Sequence, residues 1–255
     1  MNAVSAGRFP FDPALLESLA ARHRSAYASA VPFPHAVLDS FFPTDVAQRL
    51  LQEFPPPEAF AREEDSAGPW RRGKLYSRDV SSFGPQTVAT LRALGSPAFL
   101  GFLSVLSGID ELVANPEIYD ALRHFERGGR LGVHCDFNWH REMRLHRRLN
   151  LLVYLNREWP ESWNGSLELW DAGVTRCVSR IAPLFNRAVV FTSTDTSFHG
   201  FPEPLACPPG VTRKSLQRYY YTRTRPASEA SAPHGTLFQR RPQDSEAGSA
   251  GEDRR

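Results

Sequence analysis

The chain has 255 residues, 41% of them hydrophobic, and a formal net charge of +2 at pH 7. That length suits one elaborated domain or at most two small ones, and the composition supports a sizeable core. Near-neutrality excludes bulk nucleic-acid binding through a uniformly basic face, and three cysteines without metal spacing exclude a disulfide framework.

The opening run MNAVSAGRFPFDP is interrupted by polar residues and prolines, so no secretory signal is expected. PALLESLAARHRSAYASA then predicts an amphipathic helix within residues 1–30. VPFPHAVLDSFF predicts an edge strand, because Pro32 and Pro34 cannot donate to a ladder. Thr44 after Pro43 predicts an N-cap, with Val46, Leu50, Leu51 and Phe54 on one helical face until the prolines at 55–57. Residues 58–84 read as a polar loop with one strand. Pro85 to Leu94 predicts a helix ended by Gly95 in a left-handed conformation. Ser96 and Pro97 start the next helix, which buries Phe99, Leu100, Leu103 and Leu106.

From residue 118 the period changes. LGVHCDF, RRLNLLVYLN, GSLELW, TRCVSRI, RAVVFTS and SLQRYYYTR are short strand-like runs separated by turns. Helices first and strands after predict a helical support packed on a β-sandwich, jelly roll or barrel. The tail from Pro226 is polar and small-residue-rich; its last dozen residues read as disordered, while Leu237 and Phe238 could dock on the domain. The longest apolar runs are strand-sized and too short to span a bilayer, so a soluble cytoplasmic protein is the expectation.

Three groups of residues carry chemistry. In LGVHCDF, strand alternation points His134 and Asp136 the same way and Cys135 the other. His199 follows the strand RAVVFTS, at a strand end where a third ligand can be aimed. Two imidazoles and one carboxylate form the facial triad of non-haem Fe(II) oxygenases, with the other coordination positions open. His124, His140 and His146 are weaker ligand candidates, because they sit in polar or helix-like stretches. In RKS, Arg213 and Ser215 share a face opposite Lys214, with Arg218 out of phase. Arginine's planar fork and a hydroxyl suit the far carboxylate of a dicarboxylate held by a metal. Trp139, Trp159, Trp163 and Trp170 are expected to pack at the rim. Tyr219 and Tyr221 are expected in the core. Arg71, Arg72, Lys74, Arg141, Arg144, Arg147 and Arg148 are expected to form a solvated basic rim.

The order HxD, long gap, His, short gap, RxS resembles the 2-oxoglutarate/Fe(II)-dependent oxygenase superfamily, and within it the prolyl-4-hydroxylase-like branch. The likeness is dense from Phe125 to Arg225, in RGGRLGVHCDFN, RRLNLLVYLN, NGSLELWD, FNRAVVFTS, FHGFPEPL and TRKSLQRYYYT, and weak over 55–115. It implies an α+β fold with a mainly β core, a double-stranded β-helix of the jelly-roll or cupin type with N-terminal supporting helices. The implied organisation is a helical arm over 1–30, an oxygenase domain over 31–225 and a largely flexible tail over 226–255. It further implies Fe(II) on His134, Asp136 and His199, and 2-oxoglutarate on Arg213 and Ser215, with Tyr154 or Asn150 lining its pocket. O2 is the second cosubstrate, and ascorbate is a possible reductant. A carboxylate at Asp136 favours hydroxylation over halogenation, since halogenating relatives have a small residue there. The implied substrate is a peptidyl or protein side chain such as proline, or else a free amino acid or a glycan or lipid intermediate. Two rivals are a metal-holding module without turnover and a zinc hydrolase. The first leaves the Arg213–Ser215 clamp without a use, and the second lacks an HExxH-like helix.

Overall fold

The computed structural model describes residues 11–62, 68–77, 79–118 and 121–244. Four helices come first: α1 (Pro13–Ser29), α2 (Thr44–Gln52), α3 (Pro85–Ala93) and α4 (Pro97–Ser107). Asp12 caps α1 by accepting from Ala14 N, and Ser96 caps α4 by accepting from Phe99 N. Two predicted caps differ. Pro43 occupies the N-cap of α2 without a side-chain bond, so Thr44 is its first helical residue. Gly95 does not adopt a positive φ; α3 ends on a right-handed Leu94, and the left-handed glycine is Gly108 at the end of α4. No single helix among the described residues is long and apolar enough to cross a membrane.

The strands are β1 (His35–Leu38), β2 (Ala61–Arg62), β3 (Arg71–Tyr76), β4 (Val113–Ala114), β5 (Leu122–Cys135), β6 (Trp139–His140), β7 (Leu145–Tyr154), β8 (Leu167–Trp170), β9 (Cys177–Ile181), β10 (Arg187–Thr192), β11 (His199–Phe201), β12 (Arg213–Thr222) and β13 (Leu237–Phe238). They pair antiparallel in the order β1-β10-β7-β12-β5-β11-β8-β9, with β3 and β13 also on β5. The long strand β5 makes two successive pairings within one continuous sheet. Its first residues pair with β12 and its last with β11, on either side of Gly128, whose φ is 78°. This is the double-stranded β-helix.

Alternation explains why the strands read as near-continuous apolar runs. On β7, Leu149, Leu151 and Val153 pack against the helices together with Ala188 and Val190 of β10 and Leu216 and Tyr220 of β12. The residues between them, Leu152 and Tyr154, face inward with Val189 and Phe191 toward Leu167 and Leu169 of β8 and Ile181 of β9. Both faces of this part of the sheet are therefore buried, as in sheets covered by helices.

Both chain ends join this body. Helix α1 is part of the helical layer: Leu16, Ala20 and Tyr27 are buried, and the Tyr27 and Thr192 hydroxyls hydrogen-bond at 2.8 Å. The segment after Pro226, expected to be largely flexible, is docked as far as Asp244. Asn138 Nδ2 donates to Ser231 Oγ and to the Ala232 carbonyl, and its Oδ1 accepts from His234 N. Strand β13 then pairs Leu237 with Cys135 and Phe238 with His134. Of the last dozen residues, 244–255, expected to be disordered, Asp244 is described and pairs with Arg241, and 245–255 lie outside the described residues.

Candidate metal centre

Strands β5 and β11 run side by side with His134 opposite His199. Close approach at Gly200 makes this possible: a Cβ there would lie 2.7 Å from the Gly132 carbonyl oxygen. Asp136 follows the end of β5 and turns to the same side as His134. The three ligand atoms lie within 4.8 Å of one another, with Asp136 Oδ1 3.8 Å from His134 Nε2 and Oδ2 3.6 Å from His199 Nε2.

Each imidazole donates from Nδ1 to a backbone carbonyl, His134 to Gly132 at 2.8 Å and His199 to Ser197 at 2.9 Å. That fixes the tautomer and leaves both Nε2 lone pairs facing the carboxylate. Burial pushes the His134 imidazolium down to about 3, helped by His199, and burial lowers His199 as well. Burial alone would raise Asp136, but Arg147, His199 and His134 outweigh it and hold the carboxylate well below its ordinary range. Two neutral imidazoles and an ionised carboxylate are the protonation states in which these groups bind a metal. The donor set therefore fits Fe(II).

Behind the carboxylate sits a residue the sequence placed on a solvated rim. Arg147 is 3% exposed, reaches Asp136 Oδ2 at 3.0 Å and lies 3.8 Å over the Tyr219 ring. Asn150 Nδ2 also donates to Asp136 Oδ2, at 2.7 Å, and Asn150 Oδ1 accepts from Arg147 Nε at 2.9 Å. Arg148 is likewise buried, at 5% exposure, and meets Glu229.

The centre opens into a cavity of about 200 Å³. Arg213 lies in its wall at 3% exposure. Its Nε donates to the Gly165 carbonyl at 2.7 Å, its Nη2 donates to Tyr154 Oη at 3.2 Å, and its guanidinium lies over the Phe201 ring. Among the described residues no carboxylate pairs with it, and burial lowers its pKa. A dry cation with spare N–H donors is a receptor for an anion. Gly165 has a positive φ of 80°, and a Cβ there would meet Leu205 at 2.5 Å, so the carbonyl that orients Arg213 depends on glycine. Ser215 shares that strand face but does not line the cavity; its Oγ accepts from Gln217 Nε2, and Gln217 and Tyr219 reach the cavity instead.

The other candidates lie elsewhere. His124, His140 and His146 are all on strands, contrary to their sequence reading. His124 is a core residue between the Phe54 and Phe60 rings, hydrogen-bonded to Thr212 Oγ1 and the Pro55 carbonyl oxygen. Of the four tryptophans singled out, none lines the cavity. Thr236 and Phe238 do line it, and the Phe238 ring is 5.4 Å from His134. The aromatic and apolar pair in TLFQ was the signal for them.

Residues 119–221 match the family model of the 2OG-Fe(II) oxygenase superfamily. That stretch is a 2-oxoglutarate/Fe(II) oxygenase domain. The chain shares its fold with solved structures of low sequence identity. A prolyl hydroxylase from Trichoplax adhaerens, in complex with a hypoxia inducible factor oxygen degradation domain peptide, is 17% identical at a TM-score of 0.57, covering 82% of this chain and 91% of that one. A Pseudomonas putida prolyl-4-hydroxylase is 18% identical at 0.53, covering 80% and 100%. HygX from Streptomyces hygroscopicus, with nickel, 2-oxoglutarate and hygromycin B bound, is 12% identical at 0.54, covering 86% and 97%. Comparison with curated proteins gives no match.

Proposed function

We propose that this oxygenase hydroxylates an unactivated C–H bond of a peptidyl side chain, with proline the first candidate, and releases succinate and CO2. The observation that carries this reading is the convergence of His134, Asp136, His199 and the buried Arg213 on one cavity. His134, Asp136 and His199 would hold Fe(II), which with 2-oxoglutarate and O2 supplies the oxidation. Arg213 would take the far carboxylate of 2-oxoglutarate, with the Tyr154 hydroxyl beside it. Leu152, Leu167 and Phe191 line the same cavity and keep water from that anchor. Prolyl hydroxylases among the structures of like fold favour the peptidyl substrate.

A second reading has its own support. Arg71, Lys74 and Arg123 also line the cavity, and Phe238 narrows it. A small space with a cationic wall suits a free amino acid or another small acid.

The test is aerobic incubation with Fe(II), 2-oxoglutarate and two panels, proline-containing peptides and free amino acids, followed by succinate assay and mass spectrometry. The peptidyl reading predicts one added oxygen on a peptide, matched by succinate. Oxygen added to a free acid alone transfers the assignment to the second reading. No succinate with either panel from protein that binds both Fe(II) and 2-oxoglutarate removes both readings.

A further inference from the structure

We propose that Arg147 and Asn150 are positioning residues that confine Asp136 to ligation through one oxygen, and so keep a coordination position open for O2. The inference rests on the assignment of Asp136 as a metal ligand. Both donors converge on the same atom: Asn150 Nδ2 at 2.7 Å and Arg147 Nη2 at 3.0 Å from Oδ2. A carboxylate oxygen has two lone-pair sites, and on Oδ2 both are taken. Among the described residues nothing donates a hydrogen bond to Oδ1. A metal at the triad is thus offered Oδ1 alone.

The two donors are themselves fixed. Arg147 Nε holds Asn150 Oδ1 at 2.9 Å, so the amide cannot flip without losing that bond. The guanidinium lies against the Tyr219 ring at 3.8 Å and the Phe137 ring at 4.6 Å, in a buried site where a cation–π contact is strong.

Counting positions gives the consequence. Two histidines and one carboxylate oxygen occupy three sites of an octahedron. A two-oxygen cosubstrate takes two more, and one remains. If Asp136 turned to bind through both oxygens, that last site would be filled. Releasing Oδ2 therefore blocks access of a diatomic ligand over and above the metal binding lost when Asp136 is less firmly held ionised.

The experiment compares wild type with Arg147→Met, Asn150→Leu and Arg147→Lys, all checked for native circular dichroism. Fe(II) and 2-oxoglutarate affinities are measured anaerobically by calorimetry. Nitric oxide, a diatomic probe for the open position, is titrated into the loaded proteins and followed by electron paramagnetic resonance. Arg147→Met and Asn150→Leu should each weaken nitric oxide binding by at least about tenfold, the scale of lost ligand-orienting contacts. Fe(II) affinity should also fall, since Arg147 and Asn150 help to hold Asp136 ionised, but nitric oxide binding to the fully loaded protein should fall further. Arg147→Lys, which keeps a charged donor, should recover most of the nitric oxide binding. Unchanged nitric oxide binding in both Arg147→Met and Asn150→Leu overturns the proposal, as does loss of Fe(II) affinity parallel to that of nitric oxide. Wild type that binds no Fe(II) would instead remove the underlying ligand assignment.

Discussion

Two of the buried arginines that line the cavity, Arg147 and Arg213, are in opposite circumstances. The first faces a carboxylate of the protein; the second has none among the described residues and awaits one. Arg213→Ala is predicted to weaken 2-oxoglutarate binding by about 2–4 kcal/mol, roughly 30- to 1,000-fold, because a desolvated charge pair loses one member. Fe(II) affinity should not move, and calorimetry reads both. The depressed histidines give a second prediction. A pair of ordinary imidazoles, with pKa about 6.5, must shed protons to bind metal below that pH. Here burial favours the neutral form of both imidazoles, His134 being pushed down to about 3. Fe(II) affinity should therefore fall by less between pH 7.5 and 5.5 than the roughly hundredfold that two ordinary imidazoles would impose; a fall of that size would show that the imidazoles are ordinary. His134, Asp136, His199 and Arg213 were legible because spacing and alternation place them. Arg147 was not. A register shift where β7 passes Tyr220 and Tyr221 of β12 leaves Arg148 without a cross-strand partner. This bulge reverses the phase, so Arg147 joins the face of Asn150 that a strict period of two denies it.

At the level of elements, the strap from Ser231 to Phe238 is the part of the site least visible in the sequence. Its composition is that of a tail, yet three bonds from Asn138, the Asp195–His234 contact at 3.1 Å and the pairing of β13 help to hold it in place. Phe238 then stacks on Trp70 with ring centroids 6.0 Å apart. Replacing Asn138 with Ala should cost the strap about 1–3 kcal/mol, given net hydrogen-bond contributions near 1 kcal/mol each. Hydrogen exchange should accelerate over 231–238 while the centre of β7 stays protected; equal acceleration in both would mean that Asn138 supports the whole fold instead. The strands of the double-stranded β-helix were easier to read, because each alternates between a helix-facing and a cavity-facing set. In LGVHCDF only the end of strand β5 was legible; Gly128, at a φ of 78°, lies between its pairing with β12 and its pairing with β11.

For the whole molecule, three buried histidines tie stability to pH. His124 is pushed down to about 4 and His134 to about 3, in each case chiefly by burial, and His199 is lowered as well. In the unfolded chain each titrates near pH 6.5. Below that pH the unfolded state binds protons that the native state excludes, so stability falls as pH falls toward 4. The slope approaches about 4 kcal/mol per pH unit if all three contribute. Chemical denaturation of the metal-free protein between pH 7.5 and 4.5 checks this, and a flat midpoint would contradict the buried neutral state. The central claim is that one cavity binds Fe(II) and 2-oxoglutarate together, and the anaerobic visible spectrum of the protein with both tests it most directly. A weak metal-to-ligand band should appear only when both are present, and should be lost in His199→Ala. A spectrum without that band, or one that keeps it in His199→Ala, would contradict the claim.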